Sequence, residues 1–258
     1  MINRYINSLA MLIMLLVAFS SGSAAQDTPE TRFMNGSELY SQGRYSEALD
    51  AWLSVYNSGI RSSDLDYNIA NAYFKLNNIP GAILFYERAL LLDPLDEDSR
   101  YNLQITRTMV VDKFTEIPEL FFITWYNFLS LILSSNLWAA VSIGSFASFL
   151  LLMSMYIYSA RYRIKVIGFW IGLLMLLIST LSLTLSVRNK NLVTDNKEAI
   201  IFSPVINGKS SPDESGTDLF VIHEGTKVTI EDAVGDWFEI RLADGNKGWV
   251  PADCLDML

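Results

Sequence analysis

The chain has 258 residues, 51% of them hydrophobic and 18% charged, with 19 basic against 28 acidic side chains and a net charge of −9. That charged fraction is below the roughly 25% of soluble domains, and the acidic balance excludes a strongly basic nucleic-acid binder. One Cys and one His exclude a disulfide scaffold and a Cys/His zinc site, and no cofactor motif is present. The charges are unevenly spread: residues 120–158 and 166–187 contain no Asp, Glu, Lys or Arg. This is the pattern of a membrane protein that carries soluble parts.

Arg4 is the only charge in the first 26 residues. An apolar run over 9–19 is followed by small residues, with Ser23 and Ala25 at the −3 and −1 places of a cleavage site. Residues 1–25 therefore read as a cleavable signal peptide, with an uncleaved anchor as the alternative. Export puts Gln26 and all that follows outside the cytoplasm until a span returns the chain.

Residues 26–116 are polar with helical periodicity and match themselves when shifted by 34 positions. Gly43-x-Tyr45-x-x-Ala48-x-x-x-Trp52-x-x-Val55 lines up with Asn77-x-Ile79-x-x-Ala82-x-x-x-Tyr86-x-x-Ala89. Small residues at Gly36, Ala48, Ala70, Ala82 and Ala89 let antiparallel helices approach, and Tyr45, Trp52, Tyr73 and Tyr86 fill the space between them. Pro94 stops the second unit, and residues 97 to about 111 form a capping helix over the open core face. The period resembles that of tetratricopeptide repeats. The resemblance implies a concave partner-binding surface, to which Tyr40, Tyr67, Asn71 and Phe74 contribute. For Asn71 an inter-helix hydrogen bond is an equal alternative.

Two stretches, 137–158 and 166–187, are each long enough to cross a bilayer at about 1.5 Å per residue. Between them, residues 159–165 carry Arg161, Arg163 and Lys165 with no acid, which marks the cytoplasmic side. Signal peptide and basic loop agree on an out–in–out transmembrane α-hairpin. Residues 118–135 contain a shorter uncharged, aromatic-rich stretch that reads as an interfacial helix on the outer leaflet, with a third span as the alternative. No span holds an ionisable residue, so a proton or ion path is not expected.

After a linker, 188–198, the period changes to two. In Asp236-Trp-Phe-Glu-Ile-Arg-Leu242, Phe238, Ile240 and Leu242 take one face and Trp237, Glu239 and Arg241 the other. Asp244-Gly245 is a hairpin signal, followed by Gly248-Trp249-Val250-Pro251. The set resembles the bacterial SH3-like domain over residues 199–258. By that resemblance Trp237, Trp249 and Pro251 line a ligand groove, and Asp213 and Glu214, in a long loop over 207–218, meet a basic ligand group. For Trp237 the alternative is packing against another part of the chain. His223 is expected in a turn or core, and Cys254 as a small buried apolar residue.

The expected fold class is thus multidomain: an all-α tetratricopeptide (α-solenoid) domain, a transmembrane α-hairpin and a C-terminal all-β SH3-like barrel. This order of parts resembles the BatE proteins of bacterial aerotolerance operons. The resemblance implies an accessory protein of the bacterial inner membrane with both soluble domains periplasmic. Its implied partners are Bat-type von Willebrand-domain membrane proteins and their cytoplasmic AAA+ ATPase. A second reading is a wall-binding envelope sensor whose SH3-like domain holds peptidoglycan. A third, an enzyme or transporter, lacks an acid–base pair, a metal cluster, a phosphate loop and an intramembrane charge, so no catalysis is expected.

Overall fold

The computed structural model of the chain describes residues 28–114, 120–194 and 196–258; the expected signal peptide lies outside the described residues. These residues fall into two compact units, one reaching Ile60 and one starting at Arg61.

The first unit is a helical hairpin, α1 (Pro29–Ser41) and α2 (Tyr45–Asn57). Thr28 starts α1 with a reciprocal cap. Its hydroxyl accepts the Thr31 N–H at 3.2 Å, and the Thr31 hydroxyl accepts the Thr28 N–H at 2.9 Å. The turn into α2 uses Gly43 at φ +78°. Gly36 lies flat against Trp52: a Cβ there would meet the indole nitrogen at 2.5 Å. The indole N–H in turn donates to the Phe33 carbonyl at 3.1 Å.

The second unit begins with α3 (Ser63–Lys75), α4 (Ile79–Leu92) and α5 (Glu97–Arg107). Ser62, Asn78 and Asp96 supply N-caps. Helix α4 is buried along most of its length, from Pro80 through Tyr86 and at Ala89. It packs on α3, on α5 and on the first strand of the barrel described below.

Three apolar helices follow: α6 (Phe121–Leu131), α7 (Ser135–Tyr158) and α8 (Tyr162–Thr194). Helices α7 and α8 are long and apolar enough to cross a membrane, and most of each lies on the surface. Their contact includes two reciprocal serine pairs. Ser142 and Ser179 each donate a hydroxyl to the other's carbonyl at 2.9 Å. Ser135 and Ser186 do the same at 3.0 and 2.8 Å. Gly168 leaves room for the Leu152 carbonyl, 3.2 Å from where a Cβ would sit. Small and hydroxylated residues inside, aliphatic ones outside, is how helices pair where the surroundings are as apolar as leucine. The expected linker at 188–198 is a correction: α8 continues as helix to Thr194, and β1 begins at Glu198. The extra turns are held because Asn189 donates its amide to the carbonyls of Ser130 (3.0 Å) and Leu133 (3.2 Å) at the end of α6.

The C-terminal part is a seven-stranded antiparallel sheet in the order β3-β2-β6-β5-β4-β1-β7. The strands are β1 (Glu198–Ile201), β2 (Val205–Lys209), β3 (Asp218–His223), β4 (Lys227–Val234), β5 (Trp237–Arg241), β6 (Lys247–Pro251) and β7 (Leu255–Met257). It curls around one core that includes Ala199, Ile201, Ile222, Val228, Ile240, Leu242, Val250 and Cys254. The β3–β4 turn extends the β1–β4 ladder by one more pair. Gly225 N–H donates to the Ile201 carbonyl at 2.8 Å, and Ile201 N–H to that of Thr226 at 3.0 Å. Most of the long loop read at 207–218 is the turn, 210–217, of a hairpin between β2 and β3; only its ends, 207–209 and 218, belong to the strands. Phe220 lies over Gly208, where a Cβ would be 2.2 Å from the ring. The multidomain class expected from the sequence is the one adopted.

Candidate functional site

On α3, residues 67, 71 and 74 recur at helical spacing, so Tyr67, Asn71 and Phe74 share one stripe, each half-buried. Asn71 is engaged inside the protein. Its side-chain carbonyl accepts the Tyr86 hydroxyl at 2.6 Å and the Asn102 amide at 3.1 Å. The inter-helix reading of Asn71 therefore describes its oxygen. Tyr67 lies beside the same knot, its ring 6.1 Å from Tyr86 and its hydroxyl 3.4 Å from the Asn102 amide. In the first unit, Tyr40 is half-buried, its ring 5.0 Å from Tyr45 and 5.7 Å from Trp52. Both rings belong to its own hairpin.

On the barrel, register brings the predicted aromatic residues together. Val234 pairs with Trp237 and Trp237 with Pro251, forming one row across β4, β5 and β6. The next row on that face runs Asp232, Glu239, Trp249 and Lys209. Trp237, Trp249 and Pro251 are all half-buried, while Ile240 and Val250 on the opposite face are fully buried. The alternation at 237–242 is as expected.

The hairpin acids divide by role. Asp213 accepts the Ser215 N–H at 2.8 Å and the Ser215 hydroxyl at 2.5 Å, and the serine hydrogen bonds hold its carboxyl below the usual range. It builds the turn. Glu214 is exposed, and its backbone carbonyl accepts the Lys209 ammonium at 3.0 Å. Lys209 also reaches the Gly216 carbonyl at 3.4 Å and the Asp218 carboxylate at 3.3 Å. The sequence reading missed Lys209, which pairs with Trp249 across the strands and already meets the Asp218 carboxylate.

It also missed the charges that join the helices to the barrel. Asp112, just beyond α5, accepts the backbone N–H of His223 at 2.6 Å and the Thr226 hydroxyl at 2.8 Å, and lies 2.9 Å from His223 Nδ1. Burial pushes its carboxyl up, but these hydrogen bonds outweigh burial and hold it below the ordinary value. Glu87 on α4 meets Lys227 at 3.1 Å and also Arg107; Lys227 meets Glu198 at 2.9 Å. Burial raises Glu87, and the two cations more than reverse it. Gly225, at φ +84°, brings its backbone against Val110, Ile83 and Ile79. A lone acid among 28 carries no mark in the sequence of such a role.

Among the described residues no group of His, Cys, Asp or Glu is arranged to hold a metal ion. Cys254 is buried, which pushes its thiol up to about 11, far from the range of a reactive thiolate. The tetratricopeptide repeat family model matches residues 67–95, and the bacterial SH3 domain model matches residues 209–256. No curated protein matches the chain. The first match covers most of α3 and all of α4, and the second runs from the end of β2 into β7.

Proposed function

We propose that the chain is a membrane-anchored interaction scaffold, an accessory subunit that presents a tetratricopeptide groove and an SH3-like face on the periplasmic side of the bacterial inner membrane. It has no catalytic role. The observation that carries this reading is the joint between the modules. Asp112 and Glu87 tie the barrel to α4 and α5, while the Trp237–Pro251 row remains at the surface. Two binding modules held as one body on a membrane hairpin suit a component that organises other proteins. The BatE resemblance supplies the candidates: von Willebrand-domain membrane partners of the Bat type.

The membrane arrangement belongs to the same proposal. Helices α7 and α8 span, Arg161, Arg163 and Lys165 lie inside, and residues 26–116 and 199–258 lie outside after removal of 1–25. Reporter fusions at Asp112, Ser159 and Leu258 are expected to read outside, inside and outside. A cytoplasmic reading at Leu258 overturns this topology.

The functional test is co-purification from native membranes, beside incubation of the solubilised chain with purified wall material. Trp237→Ala and Tyr67→Ala are expected to lose membrane-protein partners while remaining folded. The bacterial SH3 match and the half-buried Trp237, Trp249 and Pro251 on one face also fit a wall-binding sensor. Retention on wall material lost with Trp237→Ala, without any protein partner, would favour that second reading.

A further inference from the structure

Helix α6 is built inside out. Its apolar side chains face away from the protein: Phe121 is 81% exposed, Trp125 69% and Phe122 55%, with Phe128 and Ile132 continuing the stripe. Of its polar side chains, Asn127 and Ser130 face inward, while Thr124 lies exposed among the apolar ones. Asn127 accepts the Arg188 Nε–H at 2.8 Å. Ser130 is fully buried, and its carbonyl accepts the Trp138 indole N–H at 3.1 Å and the Asn189 amide at 3.0 Å. A helix on a water-facing surface shows the reverse arrangement, and so large an apolar patch marks an interaction site.

The position of α6 limits what can cover that patch. The Ser135–Ser186 pair fixes where α7 begins beside α8. Helix α8 runs on past that point to Thr194, and α6 is fastened to this overhang at Arg188 and Asn189. At 11 residues, or about 16 Å, α6 is too short to cross a hydrocarbon core of about 30 Å. It therefore sits at the level where the hairpin leaves the bilayer. Aromatic side chains concentrate at that level.

We propose that α6 lies in the headgroup–acyl boundary of the leaflet in which α7 begins and α8 ends, with Phe121, Phe122, Trp125 and Phe128 immersed in lipid. This rests on the reading of α7 and α8 as spans. Arg188 and Asn189 are positioning residues: by taking up the polar groups of α6 they leave its apolar side for the lipid. The helix then fixes the depth of the joint between the hairpin and the body above it.

The test uses the full chain reconstituted in phosphatidylcholine–phosphatidylglycerol vesicles. An environment-sensitive dye is attached at Phe122→Cys or, separately, at Leu150→Cys in the exposed middle of α7. The unmutated chain, whose single buried Cys254 sets the background, is the control. For Phe122→Cys, emission is expected to shift to the blue. Lipids carrying the quencher near the headgroup should quench it several-fold more than lipids carrying it deep in the acyl chain. Leu150→Cys should show the opposite preference. A water-exposed Phe122 label beside a deep Leu150 label overturns the proposal and points to a face kept for another protein. Lipid quenching at Phe122 that rises only as the protein is diluted in lipid overturns it in favour of a second copy covering the stripe. Deep quenching at Phe122 means α6 enters the core. A water-exposed Leu150 label removes the spanning reading itself, a failure distinct from the others.

Discussion

Replacing Asp112 by Ala should loosen the barrel from the helices without unfolding it. The carboxylate is the acceptor for the His223 backbone N–H and for the hydroxyl of Thr226, a residue only 4% exposed. A hydrogen bond to a charged group contributes about 1.5–3 kcal/mol, and a buried donor left without its acceptor keeps its desolvation penalty. Removing the carboxylate also relieves its own burial, so a net loss of about 2–4 kcal/mol in docking is expected. Hydrogen exchange of the full chain in micelles reads this directly. At about 1.36 kcal/mol per tenfold, the amides of the 223–227 turn should exchange roughly 30- to 1000-fold faster, while those of Ile240 and Val250 in the barrel core keep their protection. Acid should act in the same way. The carboxyl is held below its ordinary value in the folded chain, so its contribution is complete above that ordinary value. It fades as pH falls through the lowered folded value. Asp112→Asn should abolish that acid limb. Unchanged exchange at 223–227 would show that the joint is held elsewhere. A uniform increase across the barrel would show that Asp112 stabilises the barrel rather than its docking.

Glu87→Gln breaks a buried ion network on one side and should cost about 3 kcal/mol, lowering the melting midpoint by several degrees in the detergent-solubilised chain. Asp66, buried with one carboxylate oxygen lacking a partner, is raised to about 6 by burial against the opposing pull of Arg88 and Arg61. A raised acid destabilises the fold once the unfolded chain has ionised. Stability should therefore decline by up to about 3 kcal/mol as pH rises from 4 to 7, and Asp66→Asn should flatten that decline in melts run across the range. Trp237→Ala should change thermal stability by about 1 kcal/mol or so, whereas Ile240→Ala, fully buried, should cost about 2–5 kcal/mol. Equal losses in the two would make Trp237 part of the core. Because the Ser142 and Ser179 hydroxyls lie 3.2 Å apart, a Ser142→Cys/Ser179→Cys chain should close a disulfide on mild oxidation, visible as a faster-running monomer on a non-reducing gel.

The parts of this fold that repeat or alternate were legible in the sequence. The 34-residue shift exposes the helix pairs because small residues must recur where helices touch. The alternation at 237–242 exposes the two faces of β5 because only one of them is buried. Uncharged runs declare the apolar hairpin, although its inner serines look no different in sequence from any others. What could not be read depends on long-range encounters between single residues. Nothing local distinguishes Asp112 or Glu87 from other acids, since His223 and Lys227 lie more than a hundred positions away. Residues 188–198 looked like a linker because they are polar; the helix persists there because α6 supplies carbonyls to Asn189. The hairpin over 205–223 was obscured by its serine- and glycine-rich turn and by the bulge between Gly208 and Lys209.

Helix α8 has 33 residues and is separated from β1 by only three residues, so it is a rod of about 50 Å that ends close to the barrel. A flexible tether would let the barrel search a volume above the membrane. A rod lets it take one height and one attitude. If α8 spans, a thinner or thicker bilayer must tilt it, and the barrel, fastened through Lys227 and Asp112 to α4 and α5, tilts with it. The angle at which the Trp237 face meets a neighbour in the membrane then becomes a property of the lipid as much as of the protein.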